Sequence, residues 1–321
     1  MATSQALLNP LEDRTYKRAQ FRKKVKNGRT LLLMCTPALV FFFVFSYLPL
    51  PGIYVAFVRY NYFDGMFRSA FVGFENFRFL VISGKLWMLT RNTVLYNLAF
   101  IITGNVFAIA VAVMLNEISN KAFRKVSQTI LLLPYFISFV IVGVFAYNIL
   151  NYDYGVLNSF LRRVGLPSVA VYSTPAIWPG LIVFVNLWKG LGYGTIIYFA
   201  AITAINPEIY EAAHIDGANA WQRIRRVTLP NLKPTFVILL LFSLGQIMRG
   251  NFQLFYNLAG ANALLFPLTD IIETFVFRSL IVNFNFSMGT AVSLFQSVFG
   301  FLLVITANWS VRRMEPELAL F

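Results

Sequence analysis

The stretch that decides the fold is 92–116, NTVLYNLAFIITGNVFAIAVAVMLN, which contains no charged residue. A helix rises 1.5 Å per residue, so about 20 apolar residues cross the hydrocarbon core of a membrane. This run is longer than that, and its apolar positions are continuous rather than alternating, which argues against a strand of a barrel. The stretch therefore predicts a membrane-spanning α-helix.

The composition extends this prediction to the whole chain. Of 321 residues, 58% are hydrophobic and 12% are charged, and the mean hydropathy is +0.66. Such a chain cannot cover a soluble globule with polar surface, which excludes an ordinary soluble enzyme, a disulfide-stapled domain and a disordered chain. The only cysteine is Cys35 and the only histidine is His214, so multi-histidine and CxxC metal sites are excluded. We predict no metal site.

Further charge-free runs define the remaining spans. We predict an all-α polytopic membrane protein with six spans, at 30–50, 92–116, 127–149, 177–203, 231–255 and 287–310. The net charge of +14 comes from cations at the ends of apolar runs, which favours membrane lipid over nucleic acid as their partner. The same bias predicts an inner-membrane protein with both termini in the cytoplasm.

This map divides the chain into three parts. We expect a basic cytoplasmic tail at 1–29 with an interfacial helix at 9–29, a transmembrane domain at 30–312 and a short cytoplasmic tail at 313–321. The external segments are aromatic and glycine-rich, as is usual at the membrane interface.

A polar cytoplasmic segment, NPEIYEAAHIDGANAWQRIRRVTLPNLKP at 206–234, separates spans four and five. Asn206 is a suitable N-cap and Pro207 a suitable first helical residue, which predicts a helix from Pro207 to about Ile215. Gly217 predicts a bend, and a second helix follows over 218–227. This helix–bend–helix is suited to docking a partner, although a solvated loop would have a similar composition.

The same segment resembles a known family. Glu211-Ala212-Ala213, Gly217 and Leu229-Pro230 reproduce the EAA…G…I-LP loop of ABC importer permeases, with Val227 at the isoleucine position. Similar stretches occur at 71–77 (FVGFENF), 133–138 (LPYFIS) and 155–158 (GVLN). The resemblance covers roughly 30–312, and it extends to the oligosaccharide and polysaccharide subgroup, which includes the alginate importers.

The resemblance implies the permease subunit of a type I ABC importer, not an enzyme. Members of the family pair with a second permease, two ATPase subunits that bind ATP and Mg²⁺, and an external solute-binding protein. The 206–230 loop would form the coupling helix on the ATPase, and the chain itself would bind no cofactor. The residues carried over to this role are Glu211, Ala212, Ala213, Asp216, Gly217, Leu229 and Pro230, with Pro230 at the start of span five.

Two cations interrupt predicted spans. Lys189 in span four either snorkels, pairs with a neighbouring carbonyl or acid, or faces a cavity. Arg249 in span five either pairs with an acid of the partner permease, snorkels to the outer interface or lines the transport pathway. A pathway arginine would favour acidic saccharides such as alginate fragments, and neutral oligosaccharides are the alternative. An ion-coupled transporter or an intramembrane enzyme is disfavoured, because all acids are expected at span ends or in loops.

Overall fold

A computed structural model describes residues 28–314 of the chain. These residues divide into two compact units, with the boundary between Tyr54 and Val55. In the first unit, an α-helix at Arg29–Phe42 passes into a π-helical turn at Phe43–Tyr47, and its apolar side chains are mostly exposed, as expected for a lipid-facing span. The expected interfacial helix at 9–29 lies outside the described residues except for its last two.

The regular elements are numbered here in chain order. The helices are α1 (Arg29–Phe42), α2 (Gly65–Arg68), α3 (Glu75–Ile82), α4 (Lys85–Glu117), α5 (Lys121–Phe136), α6 (Phe139–Leu150), α7 (Val156–Arg163), α8 (Trp178–Thr203), α9 (Pro207–Ile215), α10 (Ala220–Arg223), α11 (Leu229–Leu244), α12 (Phe252–Ala259), α13 (Phe266–Thr269), α14 (Ile272–Phe277) and α15 (Phe286–Met314). The 3₁₀ segments are Leu50–Phe57, Val171–Ser173 and Pro175–Ile177, and the π segments are Phe43–Tyr47, Ile224–Thr228 and Arg278–Val282. Strands β1 (Val58–Arg59) and β2 (Ala70–Phe71) pair antiparallel.

The prediction of an all-α protein with several membrane spans is confirmed. Within the described residues, five helical stretches are long and apolar enough to cross a membrane, and a bent pair of helices makes a sixth if it is counted as one span. Their ends differ from the prediction by several residues: α4 begins at Lys85 instead of 92, since the charged residues at its start continue the helix beyond the apolar run.

Span three is not the single straight helix that we expected at 127–149. Helices α5 and α6 meet at an angle of 91°. The chain is extended at Ile137 and Ser138, and the Ser138 hydroxyl accepts a hydrogen bond from the Ile141 N–H at 3.3 Å. Pro134 in the last turn of α5 has no N–H to donate, and Ser138 caps the next helix, so the sequence itself ends one helix and begins another.

Span five also departs from the prediction at both ends. The helix is continuous from Ala220 through the π segment into α11, so Pro230 lies inside it instead of starting it. In the π segment the Leu229 N–H bonds to the Ile224 carbonyl, and this wider turn accommodates a proline without an N–H. At the other end, α11 stops at Leu244, and residues 245–251 form a break before α12.

The segment between spans five and six is folded into the core. It forms α12, α13 and α14, and α14 packs on α4 and α15. Asp270 is only 3% exposed; it accepts hydrogen bonds from Thr274 Oγ1 at 2.7 Å and Arg278 Nη2 at 2.5 Å. Asp270 and Glu273 lie between spans five and six, which agrees with the expectation that the acids lie at span ends or in loops, but Asp270 and the Glu273 Oε2 atom are buried.

Candidate functional site

A cavity of about 700 Å³ lies between α4, α8, α11 and the break at 245–251. Amide side chains dominate its polar lining, and Arg249 is the charged residue among the described residues that line it. Aromatic rings from Phe100, Tyr193, Tyr198 and Phe252 supply much of the remaining wall. The amides that line it are Asn97, Asn105, Asn186, Gln246 and Asn251.

The break in span five is supported by side chains from three helices. Asn97 Nδ2 of α4 donates to the carbonyl oxygens of Ile247 and Arg249, both at 3.0 Å. Gln296 Nε2 of α15 donates to the Met248 carbonyl oxygen at 2.7 Å and to Glu273 Oε1 at 2.6 Å. Because backbone polar groups within the membrane need internal partners, these contacts allow the helix to stop here.

The same break determines where Arg249 lies. We expected this residue within a continuous span at 231–255; the structure places it in the non-helical segment 245–251, exposed on the cavity wall. The Glu273 carboxylate of α14 accepts a hydrogen bond at 2.7 Å from the N–H of Gly250, the residue that follows Arg249. Its acidic neighbour therefore comes from another segment of the same chain.

Lys189 belongs to a different structural feature. Its Nζ atom donates to the carbonyl oxygens of Tyr135 at 2.7 Å, Ile137 at 2.5 Å and Pro134 at 3.2 Å, and it lies 4.8 Å from the centre of the Phe139 ring. A cation is favourable at the C-terminal end of a helix, where carbonyls are unpaired. This geometry corresponds to the carbonyl-pairing alternative, at the bend of span three.

The polar segment after span four forms the expected first helix. The α9 helix runs from Pro207 to Ile215, and Asn206 Oδ1 accepts a hydrogen bond from the Glu208 N–H at 3.1 Å. Gly217 has φ = 75°, in the left-handed region, so the predicted bend is present. The second helix begins at Ala220, two residues later than expected, because Asn219 is extended and forms a capping box with Gln222.

A direct contact connects α9 to the long helix of span five. The hydroxyl groups of Tyr210 and Thr228 lie 2.9 Å apart, and Thr228 is only 2% exposed. Glu211, Ala212, Asp216 and Gly217 are exposed, whereas Ala213 is half-buried, and Leu229 and Pro230 are exposed.

An open cavity of about 600 Å³ lies beside α9. Glu117, Glu211, His214 and Arg223 supply its charged and titratable lining. A rigid helix with an exposed acid beside an open, polar recess can receive a complementary basic surface.

Comparison with known proteins agrees with these features. Residues 104–318 match the family described as binding-protein-dependent transport system inner membrane component. The polygalacturonan/rhamnogalacturonan transport system permease protein YteP of Bacillus subtilis is 33% identical over 94% of this chain and 93% of its own. The trehalose/maltose transport system permease protein MalF of Thermococcus litoralis is 28% identical over 90% and 97%.

A solved structure has the same fold. It is the crystal structure of a bacterial alginate ABC transporter in complex with an alginate pentasaccharide-bound periplasmic protein; the matched chain is 33% identical, with a TM-score of 0.82 over 91% of this chain and 97% of that chain.

The chain belongs to the binding-protein-dependent transport system inner membrane component family. It is a multi-pass inner-membrane permease subunit of an ABC importer, in which the ATPase is a separate subunit, and the resemblance noted from the 206–230 loop is confirmed.

Sequence reasoning missed the residues that build the break. Asn97, Glu273 and Gln296 are far apart in sequence, and only the fold brings them together. The available signal was Gly250-Asn251 within an apolar run, since a glycine followed by a capping residue commonly marks a helix start.

Proposed function

We propose that this permease imports acidic oligosaccharides, with uronic acids as the sugar units. The observation that carries the proposal is the exposed guanidinium of Arg249 on the wall of a cavity otherwise lined by amides and aromatic rings. Guanidinium groups bind carboxylates through paired, charge-assisted hydrogen bonds, and amides bind sugar hydroxyls. A cation inside a membrane domain is costly unless it faces water, a partner or a ligand.

Two of the relatives support this substrate class. The names of YteP and of the alginate transporter both refer to polysaccharides that contain uronic acids, and both proteins are 33% identical to this chain. Alginate-like fragments are therefore the proposed cargo.

We also propose how the subunit is assembled and driven. A second permease would complete the pathway, two ATPase subunits would bind ATP and Mg²⁺, and a solute-binding protein would deliver the substrate from outside. Both termini would be cytoplasmic. The ATPase would contact the exposed 206–230 segment through Glu211, Ala212, Ala213, Asp216 and Gly217, and Leu229 and Pro230 would complete the motif at the foot of span five.

The substrate proposal is tested with Arg249→Gln in the reconstituted complex. Binding-protein-dependent uptake of an alginate oligosaccharide should fall by about tenfold or more, because one charge-assisted contact is lost. Arg249→Lys keeps the charge but loses the paired geometry, so it should retain part of the uptake. An equal loss of a neutral oligosaccharide such as maltopentaose would contradict the proposal.

Neutral oligosaccharides are the second possible cargo. The five amides in the cavity favour hydroxyl-rich ligands without requiring a carboxylate, and a relative for trehalose and maltose is 28% identical. The same pair of uptake measurements separates the two substrate classes.

A further inference from the structure

Glu273 lies outside the spans, yet its carboxylate supports the cavity wall. Its Oε1 atom accepts hydrogen bonds from the Gly250 N–H at 2.7 Å and from Gln296 Nε2 at 2.6 Å. Its Oε2 atom is buried and accepts no hydrogen bond from the described part of the chain. A glutamine could accept the same two hydrogen bonds without the desolvation that a buried carboxylate suffers. The hydrogen bonds alone therefore do not explain an acid here.

The negative charge lies close to Arg249 along the chain. This residue precedes Gly250, whose N–H donates to Glu273 Oε1 at 2.7 Å, so the carboxylate lies beside the main chain that carries the cation. Opposite charges attract more strongly where water is partly excluded. The acid thus supports the break through Gly250 and places a negative charge beside Arg249, the residue before this glycine.

Gly250 makes this close approach possible. A Cβ atom at position 250 would lie 2.6 Å from Glu273 Oε2 and 2.3 Å from Ile271 Cδ1. Both distances are shorter than any ordinary contact, so a larger residue would push the carboxylate and this part of the main chain apart.

We infer that Glu273 is a positioning residue for Arg249. It fixes the main chain at Gly250 and supplies the counter-charge that holds the guanidinium on the cavity wall until an anionic group of the substrate competes for it. Competition by an anionic substrate rests on the proposed acidic cargo. The effect of the Glu273 charge on Arg249, called here the electrostatic step, does not require any substrate.

The electrostatic step is measured first, in the purified complex carrying Cys35→Ala and Arg249→Cys. Cationic and anionic methanethiosulfonate reagents react with the single thiol at rates that reflect the local potential. Adding Glu273→Gln should lower the cation-to-anion rate ratio by about fivefold, because a nearby negative charge is removed. Adding Glu75→Gln instead, at an exposed acid paired with Arg59, should leave the ratio unchanged. An unchanged ratio in the Glu273→Gln protein would overturn the inference.

Uptake of an alginate oligosaccharide then tests positioning in the complex with Arg249 intact. Glu273→Gln keeps the hydrogen bonds but removes the negative charge near the Arg249 guanidinium. The KM for the alginate oligosaccharide should therefore fall, because no carboxylate of the protein competes with the substrate. Glu273→Ala loses the hydrogen bonds as well, so kcat should fall. Equal losses of kcat in both variants at unchanged KM would overturn the positioning role. The Glu273→Gln change could lower the cation-to-anion rate ratio while the complex with Arg249 intact shows no preference for acidic over neutral oligosaccharides. That result would refute the substrate proposal and leave the electrostatic role of Glu273 intact.

Discussion

Lys189 Nζ lies 2.5 Å from the carbonyl oxygen of Ile137, at the point where span three turns by 91°. Three carbonyl oxygens converge on this ammonium group, from the last turn of α5 and the residue after it. A bend of this size within a membrane requires a donor for these carbonyls, and the fourth span supplies it.

Replacing Lys189 by methionine should therefore destabilise the protein. The carbonyls of Tyr135 and Ile137 would lose their donor, whereas that of Pro134 keeps the Ile137 N–H, and each carbonyl left unsatisfied away from water costs about 1–3 kcal/mol of stability. The apparent Tm of the detergent-purified complex should fall by several degrees. Lys125→Met, at an exposed lysine on α5, is the control and should change the Tm little. Equal shifts in both variants would contradict the capping role.

Close packing of α5 on α8 depends on Gly192. A Cβ atom there would lie 2.0 Å from the Leu131 carbonyl oxygen, whereas a Cβ atom at Gly180 in the same helix meets nothing within 4 Å. We expect Gly192→Ala to lower the free energy of unfolding by about 1–3 kcal/mol, because the new methyl group overpacks the contact. Gly180→Ala should leave it unchanged or raise it slightly. Thermal unfolding of the two variants compares them directly, and a stable Gly192→Ala protein would show that the helices can separate.

The bend at Gly217 should depend on backbone conformation rather than on space. Its φ is 75°, and a Cβ atom would meet nothing within 4 Å. Gly217→Asn should therefore retain most binding-protein-stimulated ATP hydrolysis, because asparagine tolerates the left-handed region, whereas Gly217→Val should lose it. Similar activities in both variants would rule out the backbone as the cause.

The negative charge of Glu211, on the exposed face of α9, gives a separate prediction. Glu211→Lys should leave the helix intact but reverse the charge of the surface that we propose contacts the ATPase, so stimulated hydrolysis should fall while the complex remains in the membrane. Normal transport by this variant would mean that Glu211 is not a coupling residue. Glu208→Lys, in the first turn of the same helix, serves as the comparison.

The Tyr210–Thr228 hydrogen bond should connect ATPase movement to span five. Tyr210→Phe removes one hydroxyl and should weaken the packing of α9 on span five by about 1 kcal/mol, since the buried Thr228 hydroxyl loses this partner. We expect more ATP hydrolysed per sugar imported. Thr228→Val should have a similar effect, and the double variant should add little to either. Additive effects would mean that the two hydroxyls act independently.

Labelling from outside the cell tests the orientation. After Cys35→Ala, cysteines at Ser119 and Asn219 should be protected from an impermeant thiol reagent in intact cells, and a cysteine at Gly65 should react. The reason is the excess of Lys and Arg in the segments assigned to the cytoplasm. Reaction at Asn219 in intact cells would reverse the assignment.

The sequence predicts the elements that depend on local composition. Apolar runs predict six spans, and Asn206, Pro207 and Gly217 predict α9 and its bend, because capping and backbone freedom are local properties. The breaks in spans three and five were not predicted: Pro134-Ser138 and Gly250-Asn251 are local signals within long apolar runs, and the donors that stabilise the breaks come from distant helices. The burial of Asp270 likewise depends on its pairing with Arg278 and on tertiary packing, and the spacing of charges along the sequence does not predict either.

The supports of the break in span five also constrain how the chain is inserted. The Met248 carbonyl and the Glu273 carboxylate each accept a hydrogen bond from Gln296, which belongs to the last span. Until that span has entered the bilayer, the Met248 carbonyl of the fifth span lacks the hydrogen bond from Gln296. We therefore expect ribosome-bound chains that end before span six to keep residues 245–251 accessible to protease, and the completed chain to protect them.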